Sequence, residues 1–211
     1  MAKIIITSGP TRQYLDPVRY LSNASSGRMG AALATAALAQ GHEVTVVSGP
    51  VQIEYPKEVS VISVMTTDDM LNATRQAFQT AVGLIGAAAP CDYMPTHVLP
   101  NKMSKTGTDV FLQLIETPDI IATLGASKQK GQWVVGFALE TEDQRFRAIA
   151  KMLRKCCDLM ISNGPHAIDS LHNEVEILDR SGSLLETISG TKEHVAVEIM
   201  KIIESKLISI S

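Results

Sequence analysis

The sequence is poor in aromatic and cysteine residues and contains no long apolar run. Aromatic residues make up 4% of the 211 residues, and two of the 3 cysteines, Cys156 and Cys157, are adjacent. This pattern fits reduced thiols better than a disulfide framework, so a reducing compartment, the cytoplasm, is expected. No apolar stretch approaches about 20 residues, which argues against a membrane-spanning helix. The N-terminus also lacks the basic and apolar regions of a signal peptide.

The sequence also lacks an excess of charge of one sign. Its formal net charge is -3, with 19 Lys and Arg against 22 Asp and Glu. Because both signs are spread along the chain, a general nucleic-acid binder is not expected. The 5 histidines show no ligand spacing, so no metal site built from protein ligands is predicted. An anionic ligand would have to be held by a local cluster of donors and cations.

The sequence does contain apolar runs that alternate with helical patterns, and its hydrophobic fraction is 45%. This alternation predicts a single α/β domain over 1–211, with a doubly wound, mostly parallel, Rossmann-like sheet. Glycine and polar residues at 180–182 predict an antiparallel hairpin at one sheet edge. Residues 90–108 contain several prolines and no period, so they predict a long, flexible loop. Strands are predicted at 3–8, 43–48, 59–64, 82–88, 109–116, 132–138, 158–162, 173–179 and 183–189, and helices at 26–40, 67–79, 118–127, 144–155 and 192–207.

Ligands of such sheets bind beyond the carboxyl ends of the strands, near the first strand. Segment 9–30 follows that strand and is much longer than an ordinary connection. Ser25, Ser26 and Gly27 come where the helix is predicted to begin, so their N–H groups and hydroxyls could bind an anion, and Gly9 would allow close approach of a phosphate. The alternative is an ordinary serine cap with a packing glycine. The dinucleotide fingerprint G-x-G-x-x-G is absent, which argues against NAD.

Two further segments follow predicted strands. Ala88 belongs to a run of small residues that would let a base or ribose lie against the backbone. Asp92 could accept hydrogen bonds from the ribose hydroxyls. Lys102 and Lys105 on the loop could reach phosphates, although such lysines are commonly solvated. In the third segment, 136–141, Phe137 could stack on a base or belong to the core.

A basic helix is predicted after the third segment. Lys151 and Lys155 lie four residues apart and therefore project from one helix face. They fit either a phosphate-binding pair or a solvated stripe.

Four motifs together resemble the phosphopantothenate–cysteine ligases, also called phosphopantothenoylcysteine synthetases, of coenzyme A biosynthesis. They are ITSGPTRQYLDPVRYLSNASSGRMG at 6–30, DY at 92–93 followed by PNKMSK at 100–105, TPDII at 117–121 and VVGFALET at 134–141. The resemblance covers nearly the whole chain. In bacteria this activity is usually joined to a flavin-dependent decarboxylase, so the resemblance implies a free-standing ligase without flavin.

The resemblance implies that 4′-phosphopantothenate attacks the α-phosphorus of a nucleoside triphosphate, CTP rather than ATP, carried with Mg²⁺. The amine of L-cysteine would then displace the nucleoside monophosphate. Asn23 and Lys102 would be catalytic, and Arg19, Asn23 and Ala88 would bind substrate. A homodimer with shared active sites is implied. The nucleotide-binding residues would be Gly9, Ser25, Ser26, Gly27, Asp92, Phe137, Lys151 and Lys155.

Two other functions remain open on such a fold. An NAD(P)-dependent oxidoreductase would need the missing glycine fingerprint and a Tyr-x-x-x-Lys pair on a helix, which the sequence does not offer. A catalytically silent nucleotide-binding module would leave the joint presence of Asn23, Asp92, Lys102 and the helix lysines without a reason.

Overall fold

The computed structural model describes residues 1–139, 144–163 and 172–209. The strands are β1 (Lys3–Ser8), β2 (Arg12–Tyr14), β3 (Tyr20–Ser22), β4 (Glu43–Ser48), β5 (Ser60–Ser63), β6 (Gly83–Gly86), β7 (Tyr93–Pro95), β8 (Leu114–Glu116), β9 (Trp133–Leu139), β10 (Leu159–Asn163), β11 (His172–Asp179) and β12 (Leu184–Thr191). The helices are α1 (Arg28–Ala39), α2 (Thr67–Phe78), α3 (Ile120–Ala126), α4 (Gln144–Arg154) and α5 (Lys192–Ile203), the last followed by a π-helical turn at Glu204–Ile208.

The central sheet confirms the predicted fold class. Its strands lie in the order β5-β4-β1-β6-β9-β10-β11-β12. All neighbours from β5 to β10 are parallel, and β11 and β12 form the predicted antiparallel hairpin at one edge. Because the chain first moves from β1 to β4 and β5 and then returns to β6, the sheet reverses its order between β1 and β6. This is the place where such sheets bind ligands.

Helices cover both faces of the sheet. In β1, Ile4 and Ile6 point into one core and Ile5 into the other, and all three are fully buried. Helices α1 and α5 pack over the first core, whereas α2, α3 and α4 pack over the second. Burial on both faces explains why the parallel strands read as continuous apolar runs. No helix in the described ranges is long and apolar enough to cross a membrane.

The start of α1 differs from the prediction, whereas α2 begins at Thr67 as predicted. Helix α1 begins at Arg28, after Gly27 at φ 77°, and no side chain caps it, so a serine cap is wrong. Helix α2 is capped by Thr66, whose hydroxyl accepts from the Asp69 N–H while the Asp69 carboxylate accepts from the Thr66 N–H. The hydroxyl of Thr67, the first residue of α2, lies in the interior and forms a hydrogen bond with Thr11 Oγ1 at 2.8 Å.

Two small antiparallel ribbons were not predicted. Strands β2 and β3 pair between β1 and α1, and β7 pairs with β8 with Tyr93 opposite Glu116. The segment 90–108 is therefore not irregular throughout, and the strand predicted at 109–116 is reduced to β8. The closing helix ends at Ile203, because the last turns widen into the π-helix.

The close approach of α1 to β1 generates a prediction about stability. A Cβ added at Gly30 would lie 2.2 Å from Ser8 Oγ and 2.5 Å from Ser8 Cβ. We expect Gly30→Ala to lower the free energy of unfolding by about 1–3 kcal/mol, because the overpacked helix must move off the sheet. Urea denaturation measures this loss. Thr35→Ala, on the exposed side of the same helix, should change it by less than about 0.5 kcal/mol. Equal stability of both variants would contradict the close packing.

Candidate active site

Two open clefts lie at the carboxyl-terminal edge of the sheet. The cleft we call the β6 cleft has a volume of about 380 Å³ and is lined by Ala88, Pro90, Asp92, Phe137 and Lys155, among others. The cleft we call the α1 cleft has a volume of about 640 Å³ and is lined by Arg12, Asn23, Ser25, Ser26 and Arg28, among others. The sequence had singled out members of both sets, from segments far apart in the chain.

The α1 cleft combines hydroxyls with cations. Ser25 and Ser26 lie just before α1, and Arg28 is exposed in its first turn. The Arg12 guanidinium lies 4.4 Å from the centre of the Tyr20 ring, a cation–π contact that orients it. Because the helix N-terminus adds unpaired N–H groups, this cleft has the chemistry of an anion site. Arg12 was not identified from the sequence.

Hydroxyl groups fix the start of α1 on the sheet. Tyr55 donates to Ser8 Oγ at 2.9 Å and contacts Ser48 Oγ at 2.8 Å, and Ser8 donates to the Gly27 carbonyl at 3.1 Å. Gly9 and Gly27 pack against Val51, where added Cβ atoms would lie 2.6 and 2.9 Å from its Cγ1. Neither glycine lines the two clefts. Both shape the backbone around the site, and their contact with nucleotide stays a prediction.

Asn23 lies where the two clefts meet. Its Nδ2 donates to the Pro90 carbonyl at 2.8 Å and to Asp92 Oδ2 at 3.3 Å. Asn23 lines the α1 cleft and Asp92 the β6 cleft, so one amide connects them. The structure thus brings together two predicted site residues that are 69 positions apart in the sequence.

The β6 cleft also contains predicted residues and others that the sequence reasoning missed. Lys155 Nζ pairs with Asp119 Oδ2 at 3.1 Å, and Asp119 Oδ1 accepts from the Ala122 N–H at 3.0 Å, which caps α3. Asp119 and Arg154 line the cleft but were assigned no role. The signal for Asp119 was present in the TPDII motif, since an aspartate after proline before an apolar run is typical of a helix cap.

Besides Gly9 and Gly27, three further residues of the predicted site line neither cleft of their own chain: Arg19, Lys102 and Lys151. Lys102 is exposed. The Arg19 guanidinium pairs with Asp16 at 2.9 Å and donates to the Met103 carbonyl. Lys151 lies on α4, and Lys155 directly follows the last residue of that helix, with its N–H donating to the Lys151 carbonyl at 2.9 Å. Of the third predicted segment, Glu140 and Thr141 lie outside the described residues.

A buried carboxylate anchors the loop that carries Lys102. Asp16 Oδ1 accepts from the Val18 and Arg19 N–H groups at 2.8 Å each, and Oδ2 accepts from the Met103 N–H at 3.1 Å. Burial raises the pKa of Asp16, but the backbone donors Val18, Met103 and Arg19 and the Arg19 charge lower the pKa overall. The loop is therefore held to the β2–β3 ribbon by an ionised group.

The described residues contain no cluster of metal ligands, and Cys157 is not an activated thiol. Across residues 1–139, 144–163 and 172–209, His, Cys, Asp and Glu side chains form no group of three or more that could hold a metal ion. Burial raises the pKa of Cys157 to about 12, although Lys155 and Lys128 oppose the shift. Cys157 therefore stays a thiol at neutral pH and is a poor nucleophile.

Comparison with known proteins identifies related chains. Residues 1–207 match the model of the DNA/pantothenate metabolism flavoprotein C-terminal domain family. The chain is 36% identical over 204 residues to the coenzyme A biosynthesis bifunctional protein CoaBC of Haemophilus influenzae, covering 95% of this chain and 51% of that protein. It is 39% identical over 204 residues to a cysteine/cysteine sulfinic acid decarboxylase of an unknown prokaryotic organism, covering 94% of this chain and 57% of that one. The chain thus spans about half the length of these curated relatives.

Solved structures agree with this relationship. The C-terminal domain of a CoaBC protein is 36% identical and superposes with a TM-score of 0.82, covering 98% of this chain and 97% of that chain. A Cab2 variant in complex with phosphopantothenate-cysteine superposes with a TM-score of 0.79, covering 97% of this chain and 86% of that one. Because its sequence is only 16% identical, this second likeness concerns the fold alone.

The Asp16 anchor generates a prediction about pH. A carboxyl whose pKa is lower in the folded state stabilises the fold above its ordinary pKa, here 3.8, and that stabilisation is lost as the pH falls below it. Asp16→Asn removes the charge at every pH. We therefore expect the variant to be less stable than the parent protein at pH 7, with a difference that shrinks towards pH 3. Urea denaturation across this range measures it.

Asp109→Asn provides the control, because Asp109 is an exposed carboxylate near the same loop. The free energy of unfolding of this control variant should equal that of the parent protein at each pH. An Asp16→Asn difference of the same size at pH 7 and at pH 3 would show that the charge of Asp16 does not hold the loop.

Proposed function

The chain belongs to the family of DNA/pantothenate metabolism flavoprotein C-terminal domains, and from this membership we propose that it is a phosphopantothenate–cysteine ligase of coenzyme A biosynthesis. It condenses 4′-phosphopantothenate with L-cysteine through an acyl-nucleotide intermediate, consuming CTP and releasing CMP and pyrophosphate. The observation that carries the proposal is the Asn23 amide between an anion-binding cleft and a second cleft that ends at Asp92. The three free cysteines suit the cytoplasm.

The β6 cleft takes the nucleoside in this proposal. Phe137 offers a ring at the end of β9, and Asp92 offers a carboxylate to ribose hydroxyls. Lys155 and Arg154 bring positive charge to the same cleft. The phosphates then run past Ala88 towards the start of α1, where Ser25 and Ser26 supply donors.

The first step makes the carboxylate of phosphopantothenate attack the α-phosphorus and expel pyrophosphate. This concentrates negative charge on phosphate oxygens, so fixed cations and N–H donors stabilise it. Mg²⁺ would be carried mainly on the triphosphate oxygens, which suits an ion that keeps its waters and uses few protein carboxylates. In the β6 cleft, Asp119 is engaged with Lys155, whereas the carboxylates of Asp92 and Glu116 could help to hold the ion. The ion would supply charge neutralisation at the phosphates.

The second step transfers the acyl group to the amine of cysteine. Asn23 is the group we assign to this step, because it lies between the two clefts and carries no charge that would compete with the amine. Ala88 and the nearby backbone would lie against the pantothenate portion of the substrate. The guanidinium of Arg19 is engaged with Asp16 and the Met103 carbonyl. Within one chain, Arg19 would therefore support substrate binding by holding the loop in place and not by contacting the substrate.

A homodimer is part of the proposal. Lys102 lines neither cleft of its own chain, which is expected if its loop closes over the site of a second copy. Apolar side chains near that loop are unusually exposed: Phe111 at 93%, Val110 at 59% and Val98 at 58%. Exposed apolar groups of this kind commonly mark an interaction surface.

Pyrophosphate release tests the proposed reaction. With phosphopantothenate present, we expect release with CTP to exceed release with ATP, and addition of L-cysteine should yield phosphopantothenoylcysteine and CMP. Mass spectrometry identifies the products. Omission of phosphopantothenate is the control, because the acid is the attacking group. Absence of release with either nucleotide would rule out the ligase and leave a silent module, whereas NADPH binding in that case would favour an oxidoreductase.

The dimer surface gives a separate prediction. Phe111→Ser should shift the protein from dimer to monomer in analytical ultracentrifugation and lower the ligation rate about tenfold or more, because Lys102 then reaches no partner site. Phe146→Ser, at an aromatic that is 76% exposed on α4, is the matched control and should leave the dimer intact. A fully active monomeric parent protein would contradict the shared site.

A further inference from the structure

The hydrogen bonds of Asn23 indicate which of its atoms acts on the substrate. We propose that the carbonyl oxygen of Asn23 binds an N–H of the attacking amine, and that Asp92 is a positioning residue that turns this oxygen towards the substrate. This inference rests on the proposed ligase function. It differs from the simpler idea that the Asn23 amide donates to an acyl or phosphate oxygen.

Both N–H groups of the amide are already used inside the protein. Nδ2 carries two hydrogens, and its two acceptors are the Pro90 carbonyl and Asp92 Oδ2. Within residues 1–139, 144–163 and 172–209, no donor reaches Asn23 Oδ1. The half-buried side chain therefore presents an acceptor, and no spare donor, at the junction of the clefts.

The orientation of the amide follows from its partners. A backbone carbonyl and a carboxylate only accept hydrogen bonds, so a flipped amide would set Oδ1 against two oxygens. The acceptors are themselves held in place: the Ala89 N–H donates to the Gly9 carbonyl at 2.9 Å, and the Cys91 N–H donates to Thr11 Oγ1 at 2.8 Å. These bonds fix the chain on both sides of Pro90.

An acceptor at this point suits the amine and not the acyl group. In the second step the neutral amine nitrogen attacks the acyl carbon and a C–N bond forms. The bond from that carbon to the phosphate oxygen breaks, its electron pair leaves with the nucleoside monophosphate, and the amine proton passes to water. A hydrogen bond from the amine to Oδ1 aims the nitrogen lone pair at the carbon. The Asn23 oxygen orients the amine and takes no proton.

Hydrolysis of the intermediate distinguishes two possible roles of Asn23: orienting the amine, or stabilising the acyl oxygen. Single-turnover assays with CTP and phosphopantothenate build up bound acyl-nucleotide, which is then left in water or mixed with L-cysteine. For Asn23→Ala we expect transfer to cysteine to fall about 100-fold, while hydrolysis changes less than about threefold. The reason is that attack by water does not use the hydrogen bond between Asn23 Oδ1 and the amine. If Asn23 stabilised the acyl oxygen, both rates would fall together, and that result would overturn the inference.

A swap of the pair tests the positioning by Asp92. Asn23→Asp sets a carboxylate beside Asp92 and should block transfer to cysteine while pyrophosphate release continues. The double variant Asn23→Asp with Asp92→Asn removes the charge repulsion and places a donor at 92, but the Pro90 carbonyl then faces an oxygen at 23. Transfer should therefore recover only in part, about tenfold over Asn23→Asp. Asp92→Asn alone, at saturating CTP, corrects for altered nucleotide binding. Because an aspartate at 23 has no N–H to donate, any recovery must come from its acceptor oxygen. Lack of recovery would overturn the inference.

The parent protein separates this inference from the proposed function. If it releases pyrophosphate and forms phosphopantothenoylcysteine, a wrong pattern in the variants refutes only the role of the Asn23 oxygen. If the parent protein performs neither reaction, the ligase function itself fails.

Discussion

The contact of α1 with the end of β1 is the constraint on which the rest of the site depends. Gly30 leaves no room for a side chain above Ser8, so the helix starts directly over the strand end. Ser8 then reaches the Gly27 carbonyl, and Tyr55 completes the set of hydroxyl contacts. Because strand and helix meet so closely, the residues between them must leave the sheet. They form the β2–β3 ribbon, and the return of that ribbon brings Asn23 onto Pro90.

Charge is concentrated locally in a chain with a formal net charge of -3. In the α1 cleft, Arg12 is oriented by the Tyr20 ring and Arg28 extends from the first helical turn. In the β6 cleft, Lys155 is held by Asp119. Each oriented cation pays less entropy when a phosphate binds than a free side chain would. This arrangement explains how a weakly acidic protein could bind polyanionic substrates at one edge of its sheet.

The sequence predicted the main sheet well because its central strands, such as β1, β6 and β10, are buried on both faces. Runs such as Lys3–Ser8 and Glu43–Ser48 contain β-branched residues throughout, and their bounds were confirmed. The two short ribbons have exposed, mixed residues, and their pairing depends on distant partners such as β7 with β8. No local pattern encodes such pairing. The same limit applies to Asp119 with Lys155: each residue was visible, but only the fold brings the two side chains to one cleft.

The chemistry of the junction explains why an asparagine suits position 23. The Pro90 carbonyl and Asp92 both need a donor, and the substrate side needs an uncharged group. Serine has one donor for two acceptors, and aspartate has none and would be repelled by Asp92. Lysine supplies donors but no acceptor, and its amine would compete for the activated acyl group. Asparagine has two donors for the protein and an acceptor left over. In the proposed reaction, the role of Asn23 would therefore follow from its fixed neighbours and not from its own reactivity.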